Sequence, residues 1–400
     1  MATMLSLREA IGEWEPELIA TRRDLHAHPE IALKEVRTSA IVAERLRAIG
    51  FDDVRTGIGV TGVKAVLRGT GSPLGSGKTL LLRADMDALP IEEETGLPFS
   101  SQHPGMMHAC GHDGHTSMLL ATARVLFGRR AEISGTIVFC FQPAEEGGGG
   151  ARLMLADGVM EDPPVDAALG LHLWSPFPVG TVMALDGPTM AGIGVFRVKI
   201  QGRGGHGALP HSTVDALMIA AQAVTTLQSL VAREVDPLSP AVVSVATLHA
   251  GGTAANIIAD SATFSGTVRT FDQSASDQLA ERIPALIKGV AASLRATAEV
   301  EYISGGPPLV NDPALAALVR AVAGEIVGPS NLLSGPRIMA SEDYALFAQR
   351  VPSTYFFVGA GDAATGKTYD HHHPKFDVDE RSLALGVEIM AASALRFLGE

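Results

Sequence analysis

The sequence predicts an α/β protein. Its larger part is a mixed sheet covered by helices on both faces, and a smaller domain of βαββαβ order, the ferredoxin-like arrangement, is inserted into it. Three observations carry this. Helical and strand-like runs alternate through the first half; near Gly187–Gly194 the order changes; and after Gly305–Pro308 the first pattern returns. The 400 residues also exceed what one compact core usually holds.

In chain order, Met1–Ala20 mixes apolar Leu7, Ile11 and Leu18 with charged Arg8, Glu9 and Glu13. That is an amphipathic helix, without the basic start and apolar run of a secretory leader. A helix around Ile41–Ile49 leads to the strand Gly62–Arg68 and then to Thr79–Arg83, whose apolar run suits a strand buried on both faces. His115–Phe127 has the 3.6-residue apolar period of a helix, and Gly135–Phe141 again reads as a buried strand. The insertion supplies strand Val195–Gln201, helix Val214–Arg233, strands Val242–His249 and Ala262–Phe271, helix Ser276–Arg295 and strand Glu299–Ile303. Helix Ala314–Ile326, strand Ser353–Val358 and helix Arg381–Leu398 close the chain. The larger domain is thus expected over residues 1–188 and 304–400, and the inserted one over 189–303.

Composition narrows the function classes. Hydrophobic residues at 46% and charged residues at 19% are ordinary for a globular enzyme. A net charge of -13 with no basic run repels a phosphate backbone, which excludes nucleic acid as a partner. No stretch approaches the ~18 uninterrupted apolar residues of a membrane span. Two cysteines, Cys110 and Cys140, cannot form a disulfide framework, and the cytoplasm is the expected compartment.

The densest chemical signal is His108-Ala109-Cys110-Gly111-His112-Asp113-Gly114-His115, in a loop ahead of a helix. A lone histidine is a satisfied structural residue in roughly three cases of four; three histidines and a cysteine in one short stretch reverse those odds. Sulfur and imidazole donors two positions apart suit zinc, manganese or a similar divalent ion. Cys140, inside a strand, reads as a small apolar core residue.

Gln142-Pro143-Ala144-Glu145-Glu146-Gly147 follows that strand directly. Adjacent carboxylates at a strand end point in different directions, so one can ligate a metal while the other takes a proton from water. The bland alternative is a charged turn. His172 ends an apolar strand that begins near Val165, where core and ligand roles are equally open. Asp370-His371-His372-His373-Pro374 precedes a complete helix, which rules out a tag remnant. Asp85 and Asp87 follow the strand Leu80–Arg83; an acid behind a metal-bound histidine fixes its tautomer, and the alternative is a pair of turn acids. Gly75-Ser76-Gly77-Lys78-Thr79 imitates a phosphate-binding loop. Ser72 stands where its first glycine belongs and a strand follows, so it reads as a surface turn.

Together these motifs resemble the amidohydrolases that include hippurate hydrolases, N-acyl-amino-acid hydrolases and auxin–amino-acid conjugate hydrolases, within the co-catalytic metallopeptidases. The resemblance runs from Arg23-Asp24-Leu25-His26-Ala27-His28-Pro29-Glu30 to Phe376-Asp377-Val378-Asp379-Glu380. It implies a homodimer that hydrolyses N-acyl amino acids with two divalent ions per subunit, drawn from zinc, manganese, nickel or cobalt. Cys110 is then the bridging thiolate, with His112, Glu146, His172 and His372 completing the ligands; His372 is the match because it stands two before Pro374. Glu145 corresponds to the catalytic glutamate and Asp87 to the acid that orients a ligand. The inserted domain becomes a lid and dimerisation domain whose His206 reaches the partner subunit's active site, and Asn256 and Arg269 position the substrate. Ala259 and Gly194 depart from the usual pattern, where a proline and, in many bacterial members, an acid are common; neither is a ligand, so they bear on the substrate. A dipeptidase or carboxypeptidase, and a relative that binds without catalysing, are the alternatives.

Overall fold

The computed structural model describes residues 2–71 and 77–399, with side chains from Leu7 onward. Of the segment Gly75–Thr79, Gly75 and Ser76, like Ser72, lie outside the described residues, and Thr79 opens a strand. The chain divides into two units. The first comprises Met1–Gly187, Val310–Pro336 and Leu346–Glu400, and the second Pro188–Leu309 with Arg337–Ala345.

The sheet of the first unit has the spatial order Val54–Ile58, Gly62–Arg68, Thr136–Gln142, Thr79–Asp85, Ala167–Pro178, Ser353–Gly361, Val182–Met183. The four strands from Thr136–Gln142 to Ser353–Gly361 are mutually parallel, and the outer pairings are antiparallel. Parallel strands read as unbroken apolar runs because both faces are covered: every residue of Thr79–Asp85 and of Ser353–Gly361 is buried. One face presents Leu80, Leu82, Phe139, Leu169, Leu171 and Phe356 to a core shared with helices Ala2–Ala27, Val36–Ile49, His112–Gly128, Pro313–Val327 and Arg381–Gly399. Each such side chain contributes ~1.5–3 kcal/mol on burial. Strand alternation turns Arg83, Asp85, Cys140 and Gln142 to the other face, where Cys140 Sγ lies 3.7 Å from Met154 Sδ of helix Gly150–Ala156.

The sequence pattern missed the edge strand Val54–Ile58, whose three central residues are exposed and so carry no apolar alternation. The N-terminal amphipathic helix runs on to Ala27, through Pro16. By length and mean hydropathy the helix Arg381–Gly399 would pass for a membrane span. Leu383, Val387, Ile389 and Leu398 are instead buried in the core.

The second unit has the antiparallel order Ala241–Ala250, Ser261–Thr270, Gly192–Gln201, Thr297–Gly306, with helices Ala216–Arg233 and Gln273–Ser293 packed through Ile219, Leu227, Ile283 and Ile287 onto Phe196, Val198, Ile200 and Phe264. This is the ferredoxin-like arrangement. Its first helix starts at Ala216 rather than Val214, because the Asp215 side chain accepts the Leu217 and Met218 N–H groups as an N-cap. The expected boundaries also shift: Pro188 and residues 304–309 group with the second unit, and so does Arg337–Ala345, read as part of the larger domain. The cause of this last shift is main-chain pairing, with Ala191 N–H donating to the Ile338 and Ala340 carbonyls and Ile338 N–H to Thr189.

Candidate metal centre and active site

The carboxyl ends of parallel strands are where α/β sheets place their ligand sites, and here they deliver Asp85 and Asp87, then the Glu145–Glu146 turn, while Ala167–Pro178 carries His172. Gly111, at φ +91, lets the Cys110 loop turn into the helix His112–Gly128. The C-terminal turn is tied to the same loop: His372 N–H donates to the Ala109 carbonyl (2.8 Å), with His372 itself held at φ +65.

These residues meet. The donor atoms of Cys110, His112 and His172 lie within 4.8 Å of one another, as do those of Cys110, Glu146 and His372, and those of His112, Glu145 and Glu146. Cys110 belongs to the first two sets. Its Sγ is 3.5 Å from His172 Nε2, and His372 Nε2 is 3.1 Å from Glu146 Oε1.

The donors fit a cation. His112 Nδ1 donates to the Asp87 carbonyl (2.8 Å) and His172 Nδ1 to the Leu173 carbonyl (2.6 Å), which turns each Nε2 lone pair into the cage. His112 Nε2 and Glu146 Oε1 are buried without a hydrogen-bond partner; the 3.1 Å approach of His372 to Glu146 lacks hydrogen-bond geometry. Orphaned groups of this kind cost ~1–3 kcal/mol each unless something satisfies them. Burial, with Glu146 close by, pushes the Cys110 thiol well above its usual range. Burial opposes a proton on His112, yet Asp85 and Cys110 raise that ring well above the ordinary imidazole value. Those protons are what a divalent cation displaces on binding. Sulfur, nitrogen and oxygen donors in this mix suit zinc and its first-row neighbours.

Three neighbouring histidines are otherwise employed. His115 Nδ1 donates to Asp85 Oδ1 (2.6 Å) and its Nε2 accepts the Leu173 N–H (2.9 Å), so it is a structural link. His371 Nε2 donates to the Leu173 carbonyl (2.9 Å), and its ring packs 4.4 Å from that of Trp174; burial pushes its pKa down to about 3. His373 accepts the Lys375 N–H and stacks on Tyr369. Of the three C-terminal histidines only His372 joins these donor sets. His108 is buried with neither ring nitrogen partnered, and burial lowers its pKa to about 4.

The Asp87 carboxylate does more than the sequence suggests. It stands 3.4 Å from His112 Nδ1, but accepts the Glu145 N–H on Oδ1 and the Glu146 N–H on Oδ2, both at 3.0 Å. Asp85 takes Arg83 Nη1 at 2.7 Å. A further buried cluster escaped the sequence altogether. Arg22 donates from Nε to Asp113 (2.8 Å) and from Nη2 to Asp377 (3.1 Å), while His26 bridges Asp113 and Glu93.

His206, Asn256 and Arg269 all belong to the second unit. The exposed His206 lies in a two-residue strand paired with Ile257–Ile258, and Gly207 N–H donates to the Asn256 carbonyl (2.7 Å), so these two are neighbours. Arg269 ends a strand half-buried, with its guanidinium on the Val268 carbonyl (3.1 Å), and burial lowers its pKa.

Comparison with known proteins agrees with this geometry. A sequence profile described as peptidase family M20/M25/M40 matches residues 81–396. The chain is similar to IAA-amino acid hydrolase ILR1-like 4 of Arabidopsis thaliana, 40% identical over 401 residues, 99% of this chain and 88% of that protein. It is similar to Thermostable carboxypeptidase 1 of Saccharolobus solfataricus, 39% identical over 395 residues and 98% of each chain. Among solved structures it resembles the YXEP protein of Bacillus subtilis, a dinuclear metal binding peptidase from the M20 family, with a TM-score of 0.83 and 34% identity over 97% of this chain and 99% of that one.

Proposed function

We propose that this chain, which belongs to peptidase family M20/M25/M40 and is a hydrolase, is a two-metal amidohydrolase that cleaves N-acetyl, N-benzoyl or arylacetyl amino acids into a carboxylic acid and an amino acid. One observation carries the reading: two donor sets share Cys110, with the Glu145 carboxylate within 4.8 Å of the donor atoms of His112 and Glu146. Cys110, His112, Glu146, His172 and His372 would hold the ions. When bound, such a pair lowers the pKa of a water towards neutrality and polarises the amide carbonyl.

Glu145 accepts the proton of the attacking water and returns it to the leaving nitrogen, a transfer of the kind worth 10²–10⁴-fold. Asp87 orients His112 through its carbonyl and the Glu145 turn through its carboxylate. His206, donated by a second copy of the chain, stabilises the oxyanion, which requires a homodimer. Arg269 and Asn256 hold the amino acid's carboxylate. Neither Cys110 nor Cys140 forms a disulfide among the described residues, which suits the cytoplasm.

A substrate panel tests this. Rates on N-acetyl, N-benzoyl and indole-acetyl amino acids should exceed those on free dipeptides with zinc, manganese, nickel or cobalt, and Glu145→Gln should abolish them. Faster dipeptide cleavage would favour the second reading, a carboxypeptidase or dipeptidase, which the S. solfataricus relative supports. No hydrolysis with any metal would leave a binding protein.

A further inference from the structure

Three consecutive main-chain N–H groups carry the Glu145 turn, and all three end on carboxylates. Ala144 N–H donates to Glu35 Oε1 (2.9 Å), and the next two donate to Asp87. Ala144 adopts φ +53, a left-handed conformation that costs a non-glycine residue ~1–2 kcal/mol. The turn is also tight, since a Cβ at Gly150 would meet the Pro143 carbonyl oxygen at 1.6 Å.

Glu35 gathers more than Ala144. Its Oε1 also accepts the Leu33 N–H (3.1 Å), and its Oε2 the Thr61 hydroxyl (2.5 Å). Leu33 stands at φ +63, and Thr61 follows Val60 at φ +85. Of the five non-glycine residues with left-handed φ among the described residues, three therefore sit at or beside a hydrogen bond to this one carboxylate. Glu35 is 0% exposed and forms no salt bridge among the described residues. Burying a carboxylate without a cation is costly, and burial raises its pKa. Such an expense is typical of strain held at a working site.

We propose that Glu35 is a positioning residue for the hydrolytic step: by accepting the Ala144 N–H it sets the direction in which the Glu145 carboxylate leaves its turn. This rests on the reading of Glu145 as the base.

The test compares Glu35→Ala, Glu35→Gln and Glu145→Gln in the full chain, measuring kcat, KM, metal per chain and thermal midpoint. Glu35→Ala should keep its metal and lose on the order of 10²-fold in kcat, the loss that a ~1 Å misplacement brings. Its KM should stay within about twofold, as expected when substrate binding is untouched. Glu35→Gln, whose carbonyl oxygen still accepts both N–H groups, should recover kcat to within about fivefold of the parent, the equivalent of one ordinary hydrogen bond. Should Glu35→Ala not fold, Thr61→Val, which frees one carboxylate oxygen, takes its place, with a kcat loss of about threefold expected at unchanged KM and metal content. Parent kcat per metal-loaded chain, or a loss matched by lost metal or raised KM, would overturn the proposal and leave Glu35 a folding residue. Activity retained by Glu145→Gln would instead overturn the base, so the two failures are told apart.

Discussion

Two polar clusters flank the first turn of the helix His112–Gly128, one buried and one open to solvent at His372, and they balance charge in opposite ways. On one side the guanidinium of Arg22, 0% exposed, serves Asp113 and Asp377. On the other, Cys110, His112, His172, Glu146 and His372 assemble thiol, imidazole and carboxylate groups. The first cluster carries its cation as a side chain; the second, as proposed, would take one up from solution. Adjacent residues of one motif thus face different surroundings: Asp113 Oδ2 is held by Arg22 and His26, whereas His112 Nε2 has no hydrogen-bond partner and turns to other donor atoms.

The comparison breaks most visibly at Arg22. Arg22→Met should cost about 3–5 kcal/mol, because Asp113 is left buried with His26 alone, and added metal should not restore it. A loss under about 1 kcal/mol by chemical denaturation would mean the cluster does not depend on its built-in cation. The imported side gives a smaller effect. Metal at about a hundred times its dissociation constant should add about 2.7 kcal/mol to the parent and far less to Cys110→Ser, which lacks the donor common to both sets. Equal metal-induced stabilisation of the two proteins would point to another shared donor.

A third effect is a pH dependence. Burial pushes Glu93 up, yet hydrogen bonds from His26 and Thr95 hold it at about 2 against an ordinary 4.5. The folded-state value is the lower one, so unfolding takes up a proton in that window. The Glu93 contribution is complete above pH 4.5 and is lost as pH falls through 2. Glu93→Gln should flatten the stability profile between those values, and an unchanged acid limb in urea titrations would contradict it.

What was legible in the sequence was local. Unbroken apolar runs announced the parallel strands, and the His108–His115 string, the Glu145–Glu146 pair, His172 and His372 were each visible as chemistry, although their assignment as one ligand set came through a family resemblance. The residues that hold them were not visible. Arg22 meets Asp113 and Asp377 across 91 and 355 positions, and Glu35 reaches Ala144 across 109. No periodicity encodes such meetings. His115 shows the same limit from the other side: within the motif it looks as much a ligand as His112, and only its bonds to Asp85 and Leu173 assign it to structure.

The strand Ser353–Gly361 slots between Ala167–Pro178 and Val182–Met183, and His372 comes just after it. A growing polypeptide on the ribosome therefore holds four of its five candidate ligands long before the sheet is complete. If these residues hold ions as proposed, the full set exists only once the strand Ser353–Gly361 has entered the sheet, so complete loading would follow sheet assembly rather than seed it.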